Sequence, residues 1–316
     1  MSSMSVEKSQ LELIMELEPV VEKELNRHLA TAEEWFPHQY VPWSRGRDYD
    51  GPMGGEGWTP EDSNVSPEAR VALLVNLLTE DNLPGYHYAI ARVFGGKGAW
   101  GTWVERWTAE EARHSIVIRD FLTVTRAIDP VELERQRMIH MQGGYEATHG
   151  EDLLRGVAYV SFQELATRVS HRNTGKASGD PLCEQMMQRV AKDENLHMIF
   201  YRNLLGAAFE VDPSQTMRAI TDVVKAFEMP GNTIDGFLRK SVTIANAGIY
   251  DLRLHHDDVL MPVLRKWGVF EMGGLDADGE RAREELGEFL EQIDSAAAKF
   301  ETRRAERRAR QAARAE

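Results

Sequence analysis

Cysteine is almost missing. A single Cys183 among 316 residues excludes an intramolecular disulfide and any thiolate-built zinc or iron–sulfur site within one chain, and it fits a reducing cytoplasm. Long apolar runs are missing too. No stretch approaches the roughly 18 consecutive apolar residues of a spanning helix, so no transmembrane segment is expected. The opening stretch MSSMSVEKSQLELIMELEPVVEKEL has no basic region running into an apolar one and no Arg/Ser-rich character, so neither a secretory signal nor a transit peptide is expected. Positive charge is in deficit: 37 Lys and Arg stand against 51 Asp and Glu, for a net charge of −14. That disfavours generic nucleic-acid binding. Alternation of period two is also lacking, which argues against sheets.

What remains is helix-period pattern on a chain able to build a core, with 42% hydrophobic residues and 7 Trp, 8 Tyr and 11 Phe. The pattern predicts helices over about 6–30, from 67 through a kink at Pro84, over about 99–127, from 130, over about 151–172, from 181 to just before 211, and over about 214–227, 232–266 and 278–314. Residues 36–66 read as a long loop and NTGKASGDP (173–181) as a short one. No linker divides the chain. The expectation is one all-α domain over 1–300, a four-helix bundle (about 67–210) extended by further helices, with a basic helical tail over 301–316. That tail reads as a solvated helix end; docking of an acidic partner is the alternative.

Along the helix expected through AKDENLHMIFYRNLL (191–205) the inward stripe runs Cys183, Met187, Val190, Glu194, His197, Tyr201, Leu204, Ala208. Glu194 and His197 interrupt an apolar face. An unpaired carboxylate there costs several kcal/mol or is forced neutral. Glu111 and His114 sit the same way on Trp100, Val104, Trp107, Ile118, Phe121. A third E-x-x-H, Glu146/His149, has no such stripe and reads as coincidence. One helix upstream of each true motif stands another inward acid. Glu80 lies 31 residues before Glu111, and Glu164 lies 30 before Glu194. The chain thus repeats one unit twice, and six ligands converge: Glu80, Glu111, His114, Glu164, Glu194 and His197. Oxygen and imidazole ligands without thiolate suit two iron ions, or manganese, rather than structural zinc. Glu110 and Asp193, each just before an E-x-x-H, are expected to orient the ligand histidines.

The strings TEDNLP (79–84), RWTAEEARH (106–114), SFQELATRVSHRNT (161–174) and KDENLHMIFYR (192–202) resemble the soluble acyl-[acyl-carrier-protein] desaturases of plant plastids and actinobacteria. The likeness runs from about 10 to about 270 and is closer to the actinobacterial branch. The resemblance implies a ferritin-like di-iron enzyme that uses O₂ and electrons from reduced ferredoxin to place a cis double bond in an acyl chain carried on acyl carrier protein. It implies a homodimer and the same six metal ligands. It matches Thr167 to a threonine on the O₂ side that helps deliver protons. It matches Trp35 to a tryptophan on an electron route through Asp193. Where the plant motif reads EENRHG, Ala112 and Ser115 depart from it, and 136–152 is shorter than in relatives. Gly156 is expected to leave room for an acyl chain. Docking of an acidic carrier needs local basic residues: Arg45 and Arg47, Arg239 and Lys240, Arg265 and Lys266, or Arg303–Arg314. A related di-iron hydroxylase and a non-catalytic iron-binding paralogue share the same ligands.

Overall fold

The computed structural model describes residues 7–147, 150–231 and 233–315. Twelve helices carry the described residues: α1 (Gln10–Thr31), α2 (Pro67–Asp81), α3 (Leu83–Phe94), α4 (Gly98–Val124), α5 (Pro130–Gln142), α6 (Leu153–Ala177), α7 (Pro181–Val211), α8 (Pro213–Lys225), α9 (Phe237–Ala247), α10 (Leu252–Leu254), α11 (Met261–Trp267) and α12 (Ala277–Ala315). Among them there is no strand, only an isolated bridge between Tyr49 and Glu56.

Start signals are spelled in the sequence. Ser9 and Glu12 form a capping box on α1. Ser66, Asp129, Asp152, Asp180 and Asp212 each accept a backbone N–H at the start of the helix that follows. Such caps satisfy donors that the first turn leaves free. The bundle is made of α2, α4, α6 and α7, with α1 laid against α4 and α7. Its core stacks Trp100, Trp103, Phe121, Phe162, Phe200 and Tyr201, all fully buried.

Three boundaries differ from the sequence reading. The kink at Pro84 is a full break at Asn82 between α2 and α3. Proline has no N–H to give the carbonyl four residues back, and that carbonyl belongs to Glu80. The expected loop at 173–177 is helix. Gly175 is retained because α7 comes close: a Cβ there would lie 2.9 Å from Met187 Cβ and 3.1 Å from Glu184 Cα. Gly175→Leu is therefore expected to destabilise the fold by about 1–3 kcal/mol, read from urea unfolding. The single helix expected over 232–266 is several pieces. Gly236 and Gly248 adopt left-handed conformations at the ends of α9, Asp251 caps the next turn, and a π-helical turn spans His255–Leu260 before Pro262.

The basic tail is not a separate element, since α12 runs through residue 301 without interruption. Arg304 pairs with Asp251, and Arg307 and Arg308 bond Asn246 at the end of α9.

Candidate metal centre

Glu80 on α2, Glu111 and His114 on α4, Glu164 on α6, and Glu194 and His197 on α7 are all buried and meet on the bundle axis. Their ligand atoms fall into two groups, each within 4.8 Å: Glu80, Glu111, His114, Glu194 and Glu111, Glu164, Glu194, His197. Glu111 and Glu194 belong to both. Each half adds its own carboxylate and its own imidazole. All six residues named from periodicity are brought together. The third E-x-x-H has Glu146 exposed between α5 and α6 and in neither ligand group, and its His149 lies outside the described residues.

Both histidines turn Nδ1 to the carboxylates. His114 Nδ1 is 3.2 Å from Glu111, 3.3 Å from Glu194 and 3.6 Å from Glu80. His197 Nδ1 is 2.7 Å from Glu111 and 3.5 Å from Glu164. Yet these nitrogens make no hydrogen bond, and neither do Glu111 Oε1, Glu164 Oε2 or Glu194 Oε1. The atoms aim at shared points between them rather than at one another. Burial and the negative charges of Glu111 and Glu194 push Glu164 well above the carboxylate range. Burial opposes a charge on His114 and His197, but the facing carboxylates, Glu111 foremost, outweigh it and raise both. Buried polar atoms in native proteins are satisfied, and two divalent cations would balance four carboxylates while using every orphaned lone pair. The donor set fits a pair of metal ions.

The outer nitrogens reveal an arrangement that spacing did not show. His197 Nε2 sits 2.9 Å from Glu110 Oε2, and His114 Nε2 sits 3.5 Å from Asp193 Oδ2. Each histidine turns Nε2 to the acid of the other motif, with a hydrogen bond on His197 and an approach without one on His114, because α4 and α7 present these faces to each other across the bundle. Arg106 donates to Glu110 at 2.6 Å, and Arg189 donates to Asp193 from one turn earlier. The repeat therefore reads R-x-x-x-[D/E]-E-x-x-H twice, a longer signal in the sequence than E-x-x-H alone. Burial opposes ionisation of Asp193, but His114, His197 and Arg189 hold it down at about 2. Asp193→Ala is expected to weaken metal retention about 10–100-fold, checked by metal analysis after dialysis against a chelator.

Thr167 Oγ1 lies within 3.1 Å of three acceptors, Gln163 O, Glu164 O and Glu194 Oε2. Trp35 Nε1 donates to Asp193 Oδ2 at 2.7 Å. Three residues were not singled out from the sequence. Trp107 donates to Glu164 at 3.0 Å. His28 bonds Glu110 at 2.9 Å. His171 bonds Glu80 at 2.9 Å, and with burial opposing, Glu194 and Glu80 raise it to about 9. His171 had a signal: it continues the stripe Glu164, Thr167 at helical spacing. His28 had only its place after Leu17, Val21 and Leu25.

Against the Glu/His cluster lies an apolar cavity, partly open to solvent. Leu83, Tyr86, Ile90, Val93 and Val160 form its walls, and Glu80, Glu111 and Glu164 also line it. Gly156 opens onto it with nothing within 4 Å of where a Cβ would stand. Tyr145, Ala147 and Gly150, from the short segment between α5 and α6, complete it.

Comparison with known proteins agrees with this geometry. The fatty acid desaturase family model matches residues 9–316. Over 305 residues the chain is 50% identical to DesA1 of Mycobacterium tuberculosis, whose name assigns it to the acyl-[acyl-carrier-protein] desaturases, covering 94% of this chain and 90% of DesA1. It is 27% identical over 298 residues to the chloroplastic stearoyl-[acyl-carrier-protein] 9-desaturase of Spinacia oleracea, covering 89% and 74%. The X-ray structure of DesA2 from Mycobacterium tuberculosis superposes with a TM-score of 0.69 at 30% identity, covering 81% of this chain and 95% of that one. No helix among the described residues is long and apolar enough to cross a membrane. With this match along nearly its whole length, on a ferritin-like helical bundle, the chain belongs to the acyl-[acyl-carrier-protein] desaturase family of oxidoreductases.

Proposed function

We propose that the chain is an O₂-dependent desaturase that takes two hydrogens from neighbouring carbons of a saturated acyl chain on acyl carrier protein and leaves a cis double bond. One observation carries this reading: three of the four carboxylates of the cluster, Glu80, Glu111 and Glu164, line an apolar cavity. An unactivated C–H bond is beyond side-chain acid–base catalysis. Two iron ions held by Glu80, Glu111, His114, Glu164, Glu194 and His197 would supply the oxidant derived from O₂, and manganese suits the same donors. The reaction balances when two electrons and two protons enter with O₂ and two waters leave.

The protein's own residues do the rest. Leu83, Ile90, Val93 and Val160 exclude water and hold the chain beside the cluster. The Thr167 hydroxyl, bonded to Glu194 Oε2 at 3.0 Å, holds a proton at the cluster's edge. The Trp35 indole, with Arg113 over its face at 4.9 Å, links through Asp193 to His114 and marks the electron path. A ferredoxin-type donor would supply that path, in a cytoplasmic homodimer.

Carrier docking falls on Arg239 and Lys240. Pro230 lines the cavity, and the chain leads from it into these two residues, which make no ion pair among the described residues. Arg45 and Arg47 are already bound to Asp180, Glu56 and Asp62.

The test supplies iron-loaded protein with ferredoxin, its reductase, NADPH and stearoyl- or palmitoyl-acyl carrier protein in air, with mass spectrometry of the released acyl chains. Loss of two hydrogens at one position supports the reading. Gain of one oxygen would make the protein a hydroxylase, and unchanged chains would defeat both.

A further inference from the structure

The acids that face the two ligand histidines are held in matching ways, and the match exposes an unassigned residue. On the His114 half, the Trp35 indole N–H donates to Asp193, which faces His114 Nε2. On the His197 half, His28 Nε2 and His197 Nε2 both lie 2.9 Å from one oxygen, Glu110 Oε2. His28 lies in the last turn of α1 and Trp35 follows seven residues later. One stretch of chain thus delivers a ring nitrogen to each of the two orienting acids.

We propose that His28 is a positioning residue for the His197 half of the metal centre, a role resting on the two-metal reading above. Glu110 Oε1 is taken by Arg106. Its Oε2 therefore depends on the two imidazoles. A carboxylate oxygen accepts, so both Nε2 atoms carry hydrogen. That tautomer leaves His197 Nδ1 with its lone pair facing Glu111 and Glu164, as metal ligation requires. The His28 ring lies edge-on to Trp103 with centroids 5.1 Å apart and stacks on His197 at 5.7 Å. These contacts stop rotation about the Glu110 bond.

Packing alone does not explain the residue. His28 is 0% exposed, and its Nδ1 has no hydrogen-bond partner. A leucine would fill such a place without burying an unsatisfied nitrogen. The imidazole is retained for the one bond it makes.

The test compares wild type, His28→Leu, His28→Asn and His28→Gln. Each chelator-stripped full-length protein is titrated with cobalt(II), reading visible absorption and bound metal by native mass spectrometry. Wild type is expected to bind two cobalt ions. His28→Leu and His28→Asn should weaken one of them about 10–100-fold and change its absorption band. Glutamine carries an amide N–H at the reach of Nε2 and should restore both; asparagine is one methylene short. If His28→Leu does not fold, the Gln–Asn comparison decides. Equal affinities in all four proteins would overturn the proposal and leave the two-metal reading standing. So would glutamine as weak as asparagine. A wild type that binds no pair would overturn both.

Discussion

Glu194→Ala is expected to cost the protein both metal ions and all turnover. Glu194 belongs to both ligand groups, so its loss is felt on either side, unlike loss of Glu80 or Glu164. It also accepts from Thr167 at 3.0 Å and lies 3.3 Å from both His114 and His171. Removing it releases the neighbours that it orients. The fall in metal affinity should exceed the ~10–100-fold typical of losing an outer hydrogen-bond partner. Metal content by mass spectrometry and product formation by the desaturation assay read the two effects. The control is Glu146→Ala, in the third E-x-x-H, which should leave metal content at the wild-type value. A Glu194→Ala protein that kept both metals would refute the shared role.

Gly156→Leu is expected to separate stability from activity. Gly156 lies inside α6, where glycine costs about 0.5–1 kcal/mol relative to alanine. A Cβ there meets nothing within 4 Å, so the folded protein should lose no thermal stability. The added side chain enters the cavity, and a long acyl chain must then displace it or stop short. Overlap of about 1–3 kcal/mol corresponds to a roughly 5–150-fold loss of turnover for the longest substrate. Shorter chains should suffer less, and metal content should not change. An unchanged chain-length profile would place the substrate elsewhere.

The sequence made the helices and the six ligands legible for different reasons. Helix starts were readable because Ser66-Pro67, Asp180-Pro181 and Asp212-Pro213 are local devices. The ligands were readable because a carboxylate on an apolar stripe is costly, and the stripe recurred at 30- and 31-residue offsets. Residues 173–177 misled because Asn173 and Gly175 signal a loop locally, whereas Gly175 answers to the approach of α7. The break at Gly248 was hidden inside an otherwise continuous apolar pattern. Crossed pairing of Glu110 with His197 and of Asp193 with His114 is a property of how two helices face each other. No spacing within either helix contains it. His28 and His171 were missed for a related reason: each bonds an acid on a different helix, and each looks like an ordinary buried histidine along its own.

The most direct test of the account is an anomalous difference map from crystals of the iron-loaded protein, collected at the iron edge. Two peaks are expected, both beside Glu111 and Glu194, one within reach of Glu80 and His114 and the other within reach of Glu164 and His197. A single peak, no peak at this cluster, or a peak between His28 and Glu110 would contradict it.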